Sequence, residues 1–453
     1  MQVKEELGAS SKSYYIKEKE DELHNKYYVF YVNKNISLSK KMLKEMEKYN
    51  YVKFCYKFDK PVDNLPSNIQ YIKFGSYFNQ SLCDNLPTNL KELHFGEYFN
   101  NPIDNLPKGL KVISFGNRFD QVLNDKLPAG LESITFADKF NKPIDYLPEG
   151  LISLTFGGDF NQPICHILPS KLHNLTFGVS FNQSVDNLPS SLKSLDFAGK
   201  YMAGHFNQPV DNLPDFNPGT GETGLQDLIF GNNFNQRVDK LPKNLKNLEF
   251  GRKFNQPVNN LPSELIILKF GNEFNQLVDN LPKKLKSIKF GDYFNQPVDN
   301  LPTRLQELKF GLCFNQQVDN LPIELEDLTM GVSFDKPVNN LPSTLQSLTF
   351  DMWFNQPVDN LPTKLQNLKF GCNFNQPIEN LPSGLKNLTF GGEFNQSVNN
   401  LPSGLQNLTF GYGFNQPINN LPKGLQSLTL SETYNKPLNH LPASVKIERI
   451  KYY

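Results

Sequence analysis

The chain has 453 residues, with 46 basic against 46 acidic side chains, and its aromatic content is dominated by 37 phenylalanines. A net charge of zero leaves no global field to attract nucleic acid or an anionic membrane. Neither an apolar leader at Met-Gln-Val-Lys-Glu-Glu nor any run of 18 apolar residues is present to enter or cross a bilayer.

In chain order, residues 1–25 are polar and charged, including Lys17-Glu-Lys-Glu-Asp-Glu22, and are predicted to be disordered. Residues 26–57 read as a cap: a strand from Tyr27 to Val32, a helix begun by Ser39 and running to about Tyr49, and a strand from Tyr51 to Phe54. Along that helix Met42, Met46 and Tyr49 recur at i, i+4 and i+7. A strand–helix–strand cap is what the open end of a stacked core requires.

From Phe58 to Tyr434 the chain repeats one unit nineteen times, with a period of 20 without exception from Phe234 onward. A fixed short period specifies a solenoid in which each unit touches chiefly its two neighbours. Residues 58–453 are therefore predicted to form one array with a degenerate C-terminal cap, overriding the about three domains that length alone suggests. In Leu405-Gln-Asn-Leu408-Thr-Phe410 the apolar residues alternate with Thr409, as a strand with one buried face demands. Gly411 and thirteen equivalents follow that strand, where a turn needing positive φ is expected, although Ala137, Ala198, Asp351 and Ser431 replace glycine.

The Phe column forms a second core stripe and is always followed by Asn or Asp, Asp only at 59, 120 and 335. A short carbonyl side chain suits the capping of turn amides, and stacking at every coil predicts a ladder. Every unit also carries Leu-Pro; the proline, unable to donate to a ladder, belongs to the turn entering the strand.

The strings Phe-Asn-Gln-Pro-Ile and Leu-Pro-x-x-Leu-x-x-Leu-x-Phe resemble FNIP repeats, a leucine-rich-repeat relative abundant in amoebal giant viruses and social amoebae. The implied fold is an α/β-type repeat, mostly β: a leucine-rich-repeat-like solenoid with a parallel β-sheet on one face and short irregular turns on the other. The second string is also similar to the short repeats of bacterial leucine-rich effectors. Ordinary leucine-rich repeats place the ladder Asn three residues after the last strand core position; here it stands five after, Phe410 to Asn415. Family members often carry an amino-terminal F-box that recruits a ubiquitin-ligase scaffold, yet nothing before Leu65 contains the Leu-Pro that opens one.

The array is interrupted by one extra residue after Leu82, Leu123 and Ile164, and by larger insertions at residues 198–205 and 215–224. The Gly-rich second insertion lacks the Lys-Ser/Thr of a phosphate loop. Cys55, Cys83, Cys165, Cys313 and Cys372 include no C-x-x-C pair. Coils roughly 4.8 Å apart put Cys83 and Cys165 about 19 Å from each other, beyond the ~7 Å limit for a disulfide. Free thiols and a cytoplasmic location, host cytoplasm for a viral protein, are expected.

No catalytic, metal or cofactor constellation emerges: the six histidines are scattered, and His166 and His173 lack partners at metal-ligand spacing. The chain is not expected to be an enzyme or to carry a cofactor. Protein binding by a monomer is the expected role, with a ubiquitin-ligase adaptor and a structural repeat protein without a partner as alternatives. Two surfaces stand out. On the exposed strand face Ile229, Ile266 and Ile267 replace polar residues beside a column of Lys269, Lys289 and Lys309, which suits a partner with an acidic rim around an apolar spot. Glu249, Glu307 and Asp327 would equally neutralise that column. In the turn after the strand Leu312, Val332, Met352 and Cys372 share a column, with Trp353, the one tryptophan, beside Met352. These are either interface anchors or packed under a neighbouring turn.

Overall fold

The computed structural model describes residues 12–20, 26–82, 86–123, 127–164, 168–199, 203–215, 223–439, 441–442 and 445–451. Cys83, Cys165, His166 and the centres of both larger insertions lie outside them. The chain divides into two compact units, residues 1–208 with 212–225 and residues 209–211 with 226–453.

The first unit opens on β1 (Tyr14–Glu20), antiparallel to β2 (Lys26–Val32). This stretch, expected to be disordered, pairs because its tyrosines find rings opposite: Tyr14 stacks on Phe30 at 4.8 Å and Tyr15 on Tyr31 at 4.7 Å. Helix α1 (Lys40–Met46) is shorter than predicted; the Ser39 side chain caps it by accepting from the Met42 amide, and Met42 and Met46 enter the core. Strand β2 then pairs in parallel with β3 (Tyr51–Phe54), and parallel pairing continues coil by coil to β10 (Ser194–Asp196).

In the second unit, three-residue strands run in parallel register from β11 (Asp227–Ile229) to β20 (Asn407–Thr409), followed by β21 (Ser427–Ser431) and β22 (Lys446–Ile450). Only the central residue of each short strand faces inward, so Leu228, Leu248, Leu268 and Ile288 form one buried column. In most coils the strand Phe and the Phe that follows the turn pack face to face, as Phe290 on Phe294 at 3.8 Å, and stack on their counterparts in the next; Met330 and Leu430 take the strand position in two coils. The turn after Leu281-Pro282 closes by a bond from the Leu285 amide, three residues on, to the Pro282 carbonyl at 3.2 Å.

The predicted Asn ladder is present, and it has a partner that sequence reasoning missed. The Asn255 side-chain oxygen accepts from the Asn275 amide of the next coil at 2.9 Å and from the Gln276 side chain at 3.1 Å. Gln therefore holds its place for a physical reason. Where Asp120 replaces Asn and Lys142 replaces Gln, the bond becomes an ion pair at 2.9 Å.

The post-strand glycines do not adopt positive φ; among the described residues only Gly199 and Gly224 do, together with Asn64, Asn105 and Asn187, each just before a Leu-Pro pair. What the glycines provide is close approach. A Cβ at Gly291 would lie 1.9 Å from the Gly271 carbonyl oxygen, and one at Gly331 would lie 1.6 Å from that of Gly311. Nothing in the surrounding contacts explains how Ala137, Ala198, Asp351 and Ser431 are accommodated in this column.

Candidate functional site

The close approach of these glycines leaves a floor without side chains. In the second unit it becomes a groove of about 290 Å³ over Gly291, Gly311 and Gly331. Lys289 and Lys309 border it on the strand side, Leu312 and Val332 on the turn side, with Asp292 also lining it, and Asp351 interrupts the glycine floor. Met352 and Trp353 follow directly; they are 44% and 54% exposed, and Leu312 is 48% exposed. The Trp353 amide donates to the Val332 carbonyl at 3.0 Å, so the turn bearing the two side chains is fixed to the preceding coil while the side chains themselves stay in solvent. Within this column Leu312 and Met352 are exposed, as is Trp353 beside it, whereas Val332 and Cys372 are half-buried.

The sheet-face residues divide. Lys269, Lys289 and Lys309 stand opposite each other in register. Lys269 pairs with Glu249 at 3.0 Å, and Glu307 accepts from the Ser287 hydroxyl. Among the described residues Lys289 and Lys309 form no ion pair. Burial, then the like charge of Glu307, pushes the Asp327 carboxyl up, with Lys309 pulling it partly back. Ile229 faces Glu249 across the sheet, whereas Ile267 stands between Asn247 and Ser287. Ile229, Ile266 and Ile267 are half-buried and do not line the groove. The sequence marked Lys289, Lys309, Met352 and Trp353 separately; the structure brings these two lysines to the groove that leads to the other two. The glycine floor was missed because glycine was taken as a torsional requirement.

Further along the turn, the Tyr412 hydroxyl donates to Glu393 at 2.8 Å and lies 3.8 Å from the Cys372 sulfur; these two partners, Glu393 foremost, push its phenol up to about 12. Cys55, Cys313 and Cys372 are free thiols. A larger groove of about 490 Å³ runs past Glu326, Gln346, Gln366 and Lys386, but its walls are the polar chains that the repeat carries at most coils. Among the described residues no group of three or more His, Cys, Asp or Glu side chains could hold a metal ion, and no helix is long and apolar enough to cross a membrane.

The family model described as FNIP Repeat matches in successive windows from 58–98 to 160–200, at 237–273 and 274–313, and from 354–393 to 394–433. The chain belongs to the FNIP repeat family. It is similar to CroV588 of a giant virus, described as a novel circular leucine-rich-repeat protein: 37% identity and a TM-score of 0.79, over 96% of this chain and 73% of that one. YopM of Yersinia enterocolitica gives 18% identity and a TM-score of 0.45, over 86% of this chain and 91% of its own. No curated protein matches. The FNIP coil is thus a mostly-β, parallel-sheet relative of the leucine-rich repeat, a kind of solenoid typical of protein-binding scaffolds.

Proposed function

We propose that this FNIP protein is a non-catalytic, cytoplasmic scaffold that binds a partner protein along the glycine-floored groove of its second unit. One observation carries the reading: Met352 and the sole tryptophan stand exposed where the groove meets Asp351, on a backbone held by the coil-to-coil ladder. Aromatic and Met side chains on a rigid backbone are what binding hot spots are made of. An extended peptide fits the floor, with acidic residues toward Lys289 and Lys309 and a large apolar residue against Trp353. The sheet face with Ile266 and Ile267 gives a longer partner a second apolar contact. A ubiquitin-ligase adaptor role would fall to the N-terminal cap, whose single seven-residue helix turns Met42 and Met46 inward.

Display of a random peptide library against the intact chain tests this without a known partner. The expected result is enrichment of acidic peptides with a large apolar residue, which shift Trp353 fluorescence and lose binding to Trp353→Ser and to Lys309→Glu. No enrichment, or peptides that bind both variants as well as the wild type, would move the assignment to a structural role.

A further inference from the structure

The C-terminal strand ends the array differently from every coil before it. The register places Ile447 opposite Leu428 and Arg449 opposite Leu430, one residue earlier than the period of 20 requires, so Glu448, twenty residues after Leu428, is an outward residue. Arg449 stands where most coils carry Phe. Its guanidinium donates to the Ser431 and Tyr434 carbonyls and lies over the Tyr434 ring, so no further Phe can stack there. The terminal core stays open: Ile447 is 43% exposed where Leu428 is fully buried, and Leu438 and Leu441 are half-exposed where Ile418 and Leu421 are buried.

The backbone of β22 is open on the same side. The Lys446 amide donates to Gln426 and the Ile450 carbonyl accepts from Glu432, so residues 446, 448 and 450 turn their peptide groups toward β21. By alternation those of Ile447 and Arg449 point to the free edge, against which no strand pairs among the described residues. We propose that this edge is a homodimer interface, in which β22 pairs antiparallel with β22 of a second copy about a twofold axis at Ile447. The strand is self-complementary in that register. Ile447 meets Ile447 of the second copy as a hydrogen-bonded pair on the inner face. Lys446 meets Glu448 of the second copy, twice by symmetry, in the non-hydrogen-bonded pairs where side chains approach most closely. A register shifted by one would set Glu448 against Glu448. An isologous contact of this kind closes at two copies.

Light scattering on the full chain across micromolar concentrations tests the proposal. The expected species has twice the 51.8 kDa mass of one chain. Lys446→Glu and Glu448→Lys should each raise the dissociation constant by about tenfold or more, because each sets like charges opposite at two places. The double variant should recover the dimer. These positions are exposed, and unchanged circular dichroism would show that the variants fold. A single-chain mass at every concentration, growth beyond two chains, or a double variant that stays dissociated would each overturn it.

Discussion

The two positions of the turn after the strand are dressed in opposite ways in the two units. In the first unit, Tyr56, Tyr77 and Tyr98 emerge beside the glycine floor and pack on each other, edge to face at 5.2 Å and then stacked at 4.7 Å, and the Arg118 guanidinium lies 4.3 Å over the last ring. In the second, Leu312, Met352 and Trp353 emerge from the corresponding turns with comparable exposure, and among the described residues Trp353 meets no other ring. Exposure of an apolar side chain is therefore not itself a binding signal. The first set of side chains packs within the chain; Leu312, Met352 and Trp353 stay exposed.

The floor beneath both columns should be indifferent to that distinction, and it offers the largest effect. Gly96→Val and Gly311→Val each drive a Cβ to within 2.1 Å of the preceding glycine carbonyl. Each should cost on the order of 3 kcal/mol, read as lost hydrogen-exchange protection in the flanking coils. Gly109, whose nearest contact would be 3.8 Å, should accept alanine. A floor that matters in one unit only would break the comparison. Next in size, Asn161→Ala and Asn275→Ala should each lose about 1–3 kcal/mol, because each orphans the Asn amide of the next coil and removes an acceptor of its Gln side chain, Gln183 keeping only the Asn161 carbonyl.

Side-chain removal above the floor should separate the units. Tyr77→Ala should cost about 0.5–1.5 kcal/mol through its two ring contacts and leave peptide binding unchanged. Trp353→Ser should leave stability within about 0.5 kcal/mol and abolish binding. A Trp353→Ser variant that unfolds would mean the side chain packs in solution and would remove the distinction.

The architecture was legible because one residue type at one period can bury itself in few ways: Phe at every twentieth position, followed by Asn, announces both a core stripe and a ladder. What stayed hidden depended on contacts between coils. Glycine after a strand looks the same whether it serves a torsion or a close approach, and only the position of the neighbouring carbonyl decides. Gln276 looked like an ordinary polar residue until its nitrogen was found on Asn255. Trp353 was visible as an anomaly, but whether it faced solvent required the turn's path. The register of the last strand, Ile447 opposite Leu428, could not be counted from the period, since a shortened turn precedes it.

Titration sharpens the comparison most finely. Asp327 is pushed up by burial and then by Glu307, so its ionised form costs stability at neutral pH, and that cost disappears as pH falls through its raised value. Asp327→Asn should therefore stabilise at pH 7 and be neutral under acid conditions, a small effect because the carboxyl is only partly withdrawn from solvent.

Smaller still is Tyr412. Its phenol, held up to about 12 chiefly by the hydrogen bond to Glu393, contributes stability that is complete below the ordinary value of 10.0 and is lost as pH rises through about 12. In the first unit Tyr56 also titrates high, but chiefly because Tyr77 would carry a like charge beside it. The two causes are separable by substitution. Tyr412→Phe should delete a tyrosinate absorbance step near pH 12 and leave the other tyrosines in place, whereas Glu393→Gln should lower that step toward the ordinary range. For Tyr56 the corresponding release should come chiefly from Tyr77→Phe, the Glu97 carboxylate contributing less. If Glu393→Gln leaves the step where it was, the hydroxyl does not hold that bond in solution, and the two columns differ less than their coordinates imply.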